Sequence, residues 1–199
     1  MIVLGLTGSI GMGKSRAAKM LGVLGVPVHD SDKAVHKALL PEGSAFSVVA
    51  GMFPSAVAGG KIDRKKLGNI VFSDKAALKK LEAVLHPAAQ ESQAEFIRAM
   101  RLKGKKIICL EIPLLFETGA EGRVDYIVTV SAPPAVQKRR VLRRPNMTEE
   151  KFKSIVQSQL ADSQKRALSD FVVDTGLCYA RTFRQLQNII RTIRKNENA

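Results

Sequence analysis

A chain of 199 residues, 45% hydrophobic and with 8 prolines, can bury a core of its own, which excludes a disordered or fibrous polypeptide. Its formal net charge of +14, from 32 basic against 18 acidic residues, favours anionic partners, whether polyphosphorylated small molecules or nucleic acids. No apolar run reaches the length of a membrane span, no secretory signal is visible, and Cys109 and Cys178 lack metal spacing, so a cytoplasmic chain with two free thiols is expected.

The first expected strand is Ile2–Leu6. Directly after it, Gly8-Ser9-Ile10-Gly11-Met12-Gly13-Lys14-Ser15 fits G-x-x-x-x-G-K-[ST], with a helix-forming stretch behind it. Gly8, Gly11 and Gly13 let the backbone curl around an anion and turn N–H groups towards it. The positive end of the following helix aims at the same point. Lys14 can reach terminal phosphates as a point charge, and the Ser15 hydroxyl can join the shell of a Mg²⁺ ion. The motif establishes a nucleoside triphosphate site without saying what becomes of the third phosphate.

Lys14–Leu24 reads as the first helix and Val26–His29 as a second strand, with Asp30-Ser31-Asp32 at its end. Ligands of open parallel sheets sit beyond the carboxyl ends of strands, so both aspartates fall near the phosphate loop if strand two lies close to strand one. Residues 33–101 then change character. Helical pieces are expected through Val35, Ala38 and Leu39, over Ser44–Phe53, after a cap at Asp63, after a cap at Asp74, and again after His86-Pro87, with a loop over Pro54–Gly60 and no strand. This block reads as a helical insertion, and Met52 and Phe53 as part of its own core.

The strand–helix alternation returns with Lys106–Leu110, ending at Glu111, and with Tyr126–Val130. Pro133-Pro134 opens a helix to Arg144 that puts Arg140 and Arg144 on one face and Arg139 and Arg143 on the next. Thr148 caps another helix, Phe171–Val173 is the fifth strand, and Ala180, Phe183, Leu186, Ile190 and Ile193 mark the apolar side of the closing helix. Five short strands with crossover helices imply an α/β fold whose parallel sheet is flanked on both faces. Val3, Leu4, Val26, Val28, Ile107, Ile108, Ile127, Val128, Val172 and Val173 are the expected core.

Phosphoryl transfer needs positioning, charge neutralisation and a group to orient the acceptor. Asp32 or Asp30 can take the proton of an acceptor hydroxyl or hold Mg²⁺ through water, and either can instead cap a helix. Arg140 or Arg144 can clamp phosphate oxygens, whereas Arg139 and Arg143 read as surface charge. Glu111 can face the magnesium region or accept structural hydrogen bonds. His86 lines an acceptor site or caps helices; His29 reads as packed and His36 as exposed.

Taken together these residues resemble the dephospho-coenzyme A kinase family. The resemblance is carried by Gly5–Ser15, Gly25–Asp32, Ile62-Asp63-Arg64 with Leu67, Leu85-His86-Pro87, Glu111–Glu117, Gln137 with Arg140 and Arg144, Gln159, Arg166 and Asp170–Asp174. It implies a P-loop kinase core over 1–32 and 102–199, a helical acceptor-binding insertion over 33–101 and a lid over 143–150. It further implies transfer of the γ-phosphate of ATP, with Mg²⁺, to the ribose 3′-hydroxyl of dephospho-coenzyme A, the last step of coenzyme A synthesis. Asp32 is then the general base, Arg140 and Arg144 are lid-side arginines, and Arg64 and His86 belong to the acceptor site. Thr175 stands in the adenine-side wall where asparagine is frequent, and Ser31 and Ser169 stand where alanine is frequent. A nucleoside or nucleotide kinase of other specificity shares this core. A nucleic-acid-associated ATPase fits the charge alone, and no stable nucleic-acid partner is expected because the basic residues are scattered without interleaved aromatics.

Overall fold

The computed structural model describes residues 1–197. In chain order the elements are β1 (Ile2–Thr7), α1 (Lys14–Val23), β2 (Val28–Asp30), α2 (Ser31–Ala38), α3 (Phe46–Met52), β3 (Val57–Ala58), β4 (Lys61–Ile62), α4 (Arg64–Ser73) and α5 (Lys75–Leu102). They continue with β5 (Ile107–Glu111), β6 (Tyr126–Ser131), α6 (Pro134–Leu142), α7 (Glu149–Gln157), α8 (Asp162–Ala167), β7 (Phe171–Asp174) and α9 (Tyr179–Glu197). None of the helices among the described residues is long and apolar enough to cross a membrane. The chain divides into two compact units, Met1–His29 with Met100–Ala199, and Asp30–Ala99.

The first unit is built on a five-stranded sheet of order β2-β5-β1-β6-β7, with parallel pairing of β1 to β5 and β6, and of β6 to β7. Strand two is therefore one strand removed from β1. Near-continuous apolar strands such as Ile107–Leu110 need cover on both faces, and helices supply it. Leu4, Leu6, Val128, Val130 and Val173 join Met20 and Leu21 of α1 and Leu186, Ile190 and Ile193 of α9 in one core. Each such side chain contributes about 1.5–3 kcal/mol on burial.

The described residues correct the expected core at its edge. Val172 is 38% exposed while Val173 is fully buried. β7 is the last strand of the sheet, and its alternate residues turn away from the α1–α9 layer. Val3 and Val28 are only half-buried, and Ala180 lies on the exposed first turn of α9. α6 ends at Leu142 rather than Arg144, so Arg143 is its cap and Arg144 lies beyond it. The short helix α8 carries no apolar periodicity that would mark it in the sequence.

The second unit packs Ala38, Leu39, Val49, Phe53, Leu67, Val71 and Leu81 into its own core. Phe53 is buried as expected, whereas Met52 is 36% exposed. Asp63 and Asp74 accept backbone N–H groups at the starts of α4 and α5. Two expectations fail here. The loop Pro54–Gly60 contains β3, which pairs antiparallel with β4 across Gly59 and Gly60, at φ 57° and 72°. That double positive φ is what a tight hairpin turn demands. Secondly, His86-Pro87 does not separate two helices: α5 runs unbroken for 28 residues with Pro87 inside it. A proline there forfeits a backbone hydrogen bond at a cost of about 3 kcal/mol. Buried Leu81 before it and buried Gln93 after it hold the helix in line.

Candidate active site

The turn from β1 into α1 has a backbone that only glycine supports at two critical points. Gly8 sits at φ 144°, where a Cβ would stand 2.5 Å from the Val130 carbonyl oxygen. Gly13, at φ 93°, is the left-handed N-cap of α1, and a Cβ there would meet the Thr175 hydroxyl at 3.0 Å. The loop is also held from within. Met12 N–H donates to the Ser9 carbonyl at 3.1 Å, and the Ile10 N–H donates to Gln159 Oε1 at 3.0 Å. Gln137 Nε2 donates to the Ile10 carbonyl at 2.9 Å. Lys14 lays its ammonium on the Gly8 carbonyl at 2.6 Å, so the cation is kept over the loop's own concavity. Ser15 is exposed at the first turn of α1.

Thr175, at the end of β7, closes one side. Its buried hydroxyl lies 2.6 Å from the Met12 carbonyl and 3.2 Å from that of Ser131, and its single proton goes to the shorter contact. Arg140 Nη1 donates to the same hydroxyl at 3.0 Å, and Nη2 donates to the Thr175 carbonyl at 2.6 Å. Partial burial lowers the pKa of the Arg140 guanidinium, and the neighbouring charges of Arg16 and Arg139 add to that, with Asp174 opposing. The arginine stays a cation throughout, so an arriving anion relieves this crowding of positive charge.

These contacts bring Gly8–Ser15, Arg140 and Thr175 into one constellation, and leave Arg144 exposed beyond α6. Glu111 is buried at the end of β5, in register with Leu6 of β1. Cys109, two residues earlier, is fully buried, and burial first and the nearby Glu111 second push its thiol pKa far up, which makes it chemically inert. Cys178 is an exposed free thiol. Ser169 is hydrogen-bonded at 2.6 Å to Thr129, so the polar residue at that position has a partner.

In the second unit Asp30, not Asp32, is the helix cap: its Oδ1 accepts from the Lys33 N–H at 3.0 Å. Burial works against ionisation of Asp30, but the Lys33 hydrogen bonds and charge hold its carboxyl below the ordinary value. Asp32 stands in the first turn of α2 and is exposed. The neighbouring Ser31 hydroxyl accepts from buried Gln93 Nε2 at 2.9 Å, which pins the start of α2 to α5. Arg64 opens α4 and His86 lies midway along α5, both exposed.

A glycine loop that grips an anion suits many kinases. The comparisons narrow it. The family model for dephospho-CoA kinases matches residues 2–178. A dephospho-CoA kinase of Mesorhizobium japonicum is 54% identical over 176 residues, covering 88% of each chain. A solved Thermus thermophilus protein superposes with a TM-score of 0.83 at 34% identity, covering 96% of both chains. The dephospho-CoA kinase of Campylobacter jejuni does so at 0.72 and 28% identity, covering 98% of both. This chain belongs to the dephospho-CoA kinase family.

Proposed function

We propose that the loop Gly8–Ser15 holds ATP by its β- and γ-phosphates while Asp32 takes the proton of the acceptor hydroxyl. The reaction follows from family membership: the chain transfers phosphate to dephospho-CoA and so completes coenzyme A synthesis. The observation that carries this reading is the match of the dephospho-CoA kinase family model to residues 2–178, joined to a loop whose glycines have no room for a side chain.

The residue roles extend that reading. Backbone N–H groups of Gly11 and Gly13 and the ammonium of Lys14 face the phosphates, and Lys14 exchanges the Gly8 carbonyl for a phosphate oxygen when the nucleotide arrives. Ser9, Ile10 and Met12 shape the course of the loop around the phosphates and bring no side chain to them. Arg140, preset on Thr175, offsets the charge that develops on the transferring group, and Thr175 forms the base-side wall. Arg144 closes from the lid, residues 143–150. Arg64 and His86, in the helical insertion 33–101, bind the acceptor.

A magnesium ion would be held by the Ser15 hydroxyl together with the nucleotide and water, a donor set of oxygens alone that suits this hard cation. Asp32 or Glu111 can act on it through water. When bound, the ion neutralises phosphate charge. The chain's own part is orientation: the Asp32 carboxylate accepts a hydrogen bond from the 3′-hydroxyl, aims its oxygen and removes the proton as that oxygen bonds to the γ-phosphorus and ADP leaves. Arg140 and the lid keep competing water from the phosphate.

The test is the ranking of acceptors. With MgATP, kcat/KM for dephospho-CoA is expected to exceed that for nucleosides and nucleoside monophosphates by at least about 10³-fold, since a site built for polar groups rejects analogues lacking them. Comparable values for any of these would overturn the acceptor assignment.

A further inference from the structure

Gln137 and Gln159 take no part in the roles above, yet they hold opposite sides of one stretch of the phosphate loop. Gln159 Oε1 receives the Ile10 N–H at 3.0 Å, and Gln137 Nε2 donates to the Ile10 carbonyl at 2.9 Å. Ile10 lies in the part of the loop preceding Gly11 and Gly13. With both polar groups of Ile10 engaged, the chain on either side of it loses its main freedom to rotate. That orients the loop before any anion is present.

The two glutamines come from opposite sides of the 143–150 segment. Gln137 is buried in α6, before it. Gln159 lies two residues beyond the end of α7, after it. The turn that carries Gln159 is fixed in its own right. Glu117 Oε1 accepts the Leu160 N–H at 2.9 Å and pairs at 2.7 Å with Lys165, whose side chain is wholly buried. A buried ion pair with a further hydrogen bond on its carboxylate is a rigid mooring. The glutamine's position thus traces back to a charge pair that solvent does not reach on the lysine side.

We infer that Gln159, moored by the Glu117–Lys165 pair and opposed by Gln137, is a positioning residue for the kinase: it sets the phosphate loop through the Ile10 peptide and links it to both ends of the lid. This rests on the proposed role of residues 8–15 as the triphosphate site. The relay acts on the phosphates and leaves the base side to Thr175. Its loss is therefore felt in proportion to how many phosphates the ligand places in the loop.

Calorimetric titration of the full chain with ATP and with AMP tests this, in parent, Gln159→Leu, Gln137→Leu and the double variant. Gln159→Asn, which keeps the amide but falls short of Ile10, serves if the leucine variant does not fold. Loss of one hydrogen bond to the loop predicts about tenfold weaker ATP binding, with AMP binding within about twofold of the parent. The double variant is expected to lose less than the product of the single losses, because both act on Ile10. In turnover, kcat falls while KM for dephospho-CoA holds. Equal losses for ATP and AMP, or unchanged ATP affinity in a folded Gln159 variant, would overturn the proposal. Failure of the parent to phosphorylate dephospho-CoA would instead strike the acceptor assignment and leave the binding comparison readable.

Discussion

Thr175 and Met12 are joined by a hydrogen bond of 2.6 Å between residues 163 positions apart, and the same hydroxyl receives Arg140. One small side chain therefore ties the end of β7, the phosphate loop and the arginine together. Thr175→Val keeps the shape and removes the hydroxyl, so the Met12 carbonyl loses its donor, while Arg140 keeps only the carbonyls of Gly11 and residue 175. Stability is expected to fall by about 1–3 kcal/mol, read by denaturant unfolding, and ATP affinity to fall with it. A variant as stable as the parent would show that the hydroxyl is dispensable.

Gly8→Ala puts a methyl group into the Val130 carbonyl, at a backbone angle that side chains rarely adopt. Strain of this kind costs about 1–3 kcal/mol and distorts the anion cradle. Titration with ATP should detect no binding at concentrations that saturate the parent. Full binding by this variant would contradict the geometry assigned to the loop.

The Glu117–Lys165 pair gives a pH-dependent prediction. Burial resists ionisation of Glu117, but the hydrogen bonds from Lys165 and Leu160 prevail and hold its carboxyl below the ordinary glutamate value. A depressed folded-state value means that the carboxylate stabilises the fold fully above the unfolded value, and that this is lost as pH falls through the folded one. Glu117→Leu strands the buried Lys165 and should cost about 3–5 kcal/mol at neutral pH, with Lys165→Met added to it restoring part of the loss. The gap in Tm between parent and Glu117→Leu should narrow as the pH is lowered from neutral through the carboxylate range. A gap independent of pH would show that the pair contributes nothing through its charge.

The fold was legible because its signals are local. Apolar runs marked the five strands, and Asp63, Asp74 and Thr148 marked helix starts, as their backbone hydrogen bonds bear out. Pro87 misled because proline is a local breaker, whereas the burial that carries α5 past it is tertiary. The hairpin of β3 and β4 escaped notice because two-residue strands carry no period. Around the candidate site the motif residues were readable and their supports were not. Contacts such as Ile10 with Gln159, 149 positions apart, have no local pattern, and Gln137 and Gln159 were marked only by resemblance. Between Asp30 and Asp32, chemistry alone left either as the cap; the Lys33 hydrogen bond assigns it to Asp30.

The proposed role of Asp32, an exposed residue in the first turn of α2, has its own test. Asp32→Asn should lower kcat by about 10²-fold or more, as loss of a general base does, with ATP affinity within twofold of the parent. Stopped-time assays of product against calorimetric binding of ATP separate the two effects. An unchanged kcat would remove Asp32 from the chemistry.

The most direct measurement is identification of the product itself. Incubation with MgATP and dephospho-CoA, followed by mass spectrometry and phosphorus NMR, should yield coenzyme A carrying one new phosphate on the ribose 3′-oxygen, with one ADP formed per phosphate transferred. ADP released without a phosphorylated acceptor, or a phosphate found at another position, would contradict the account.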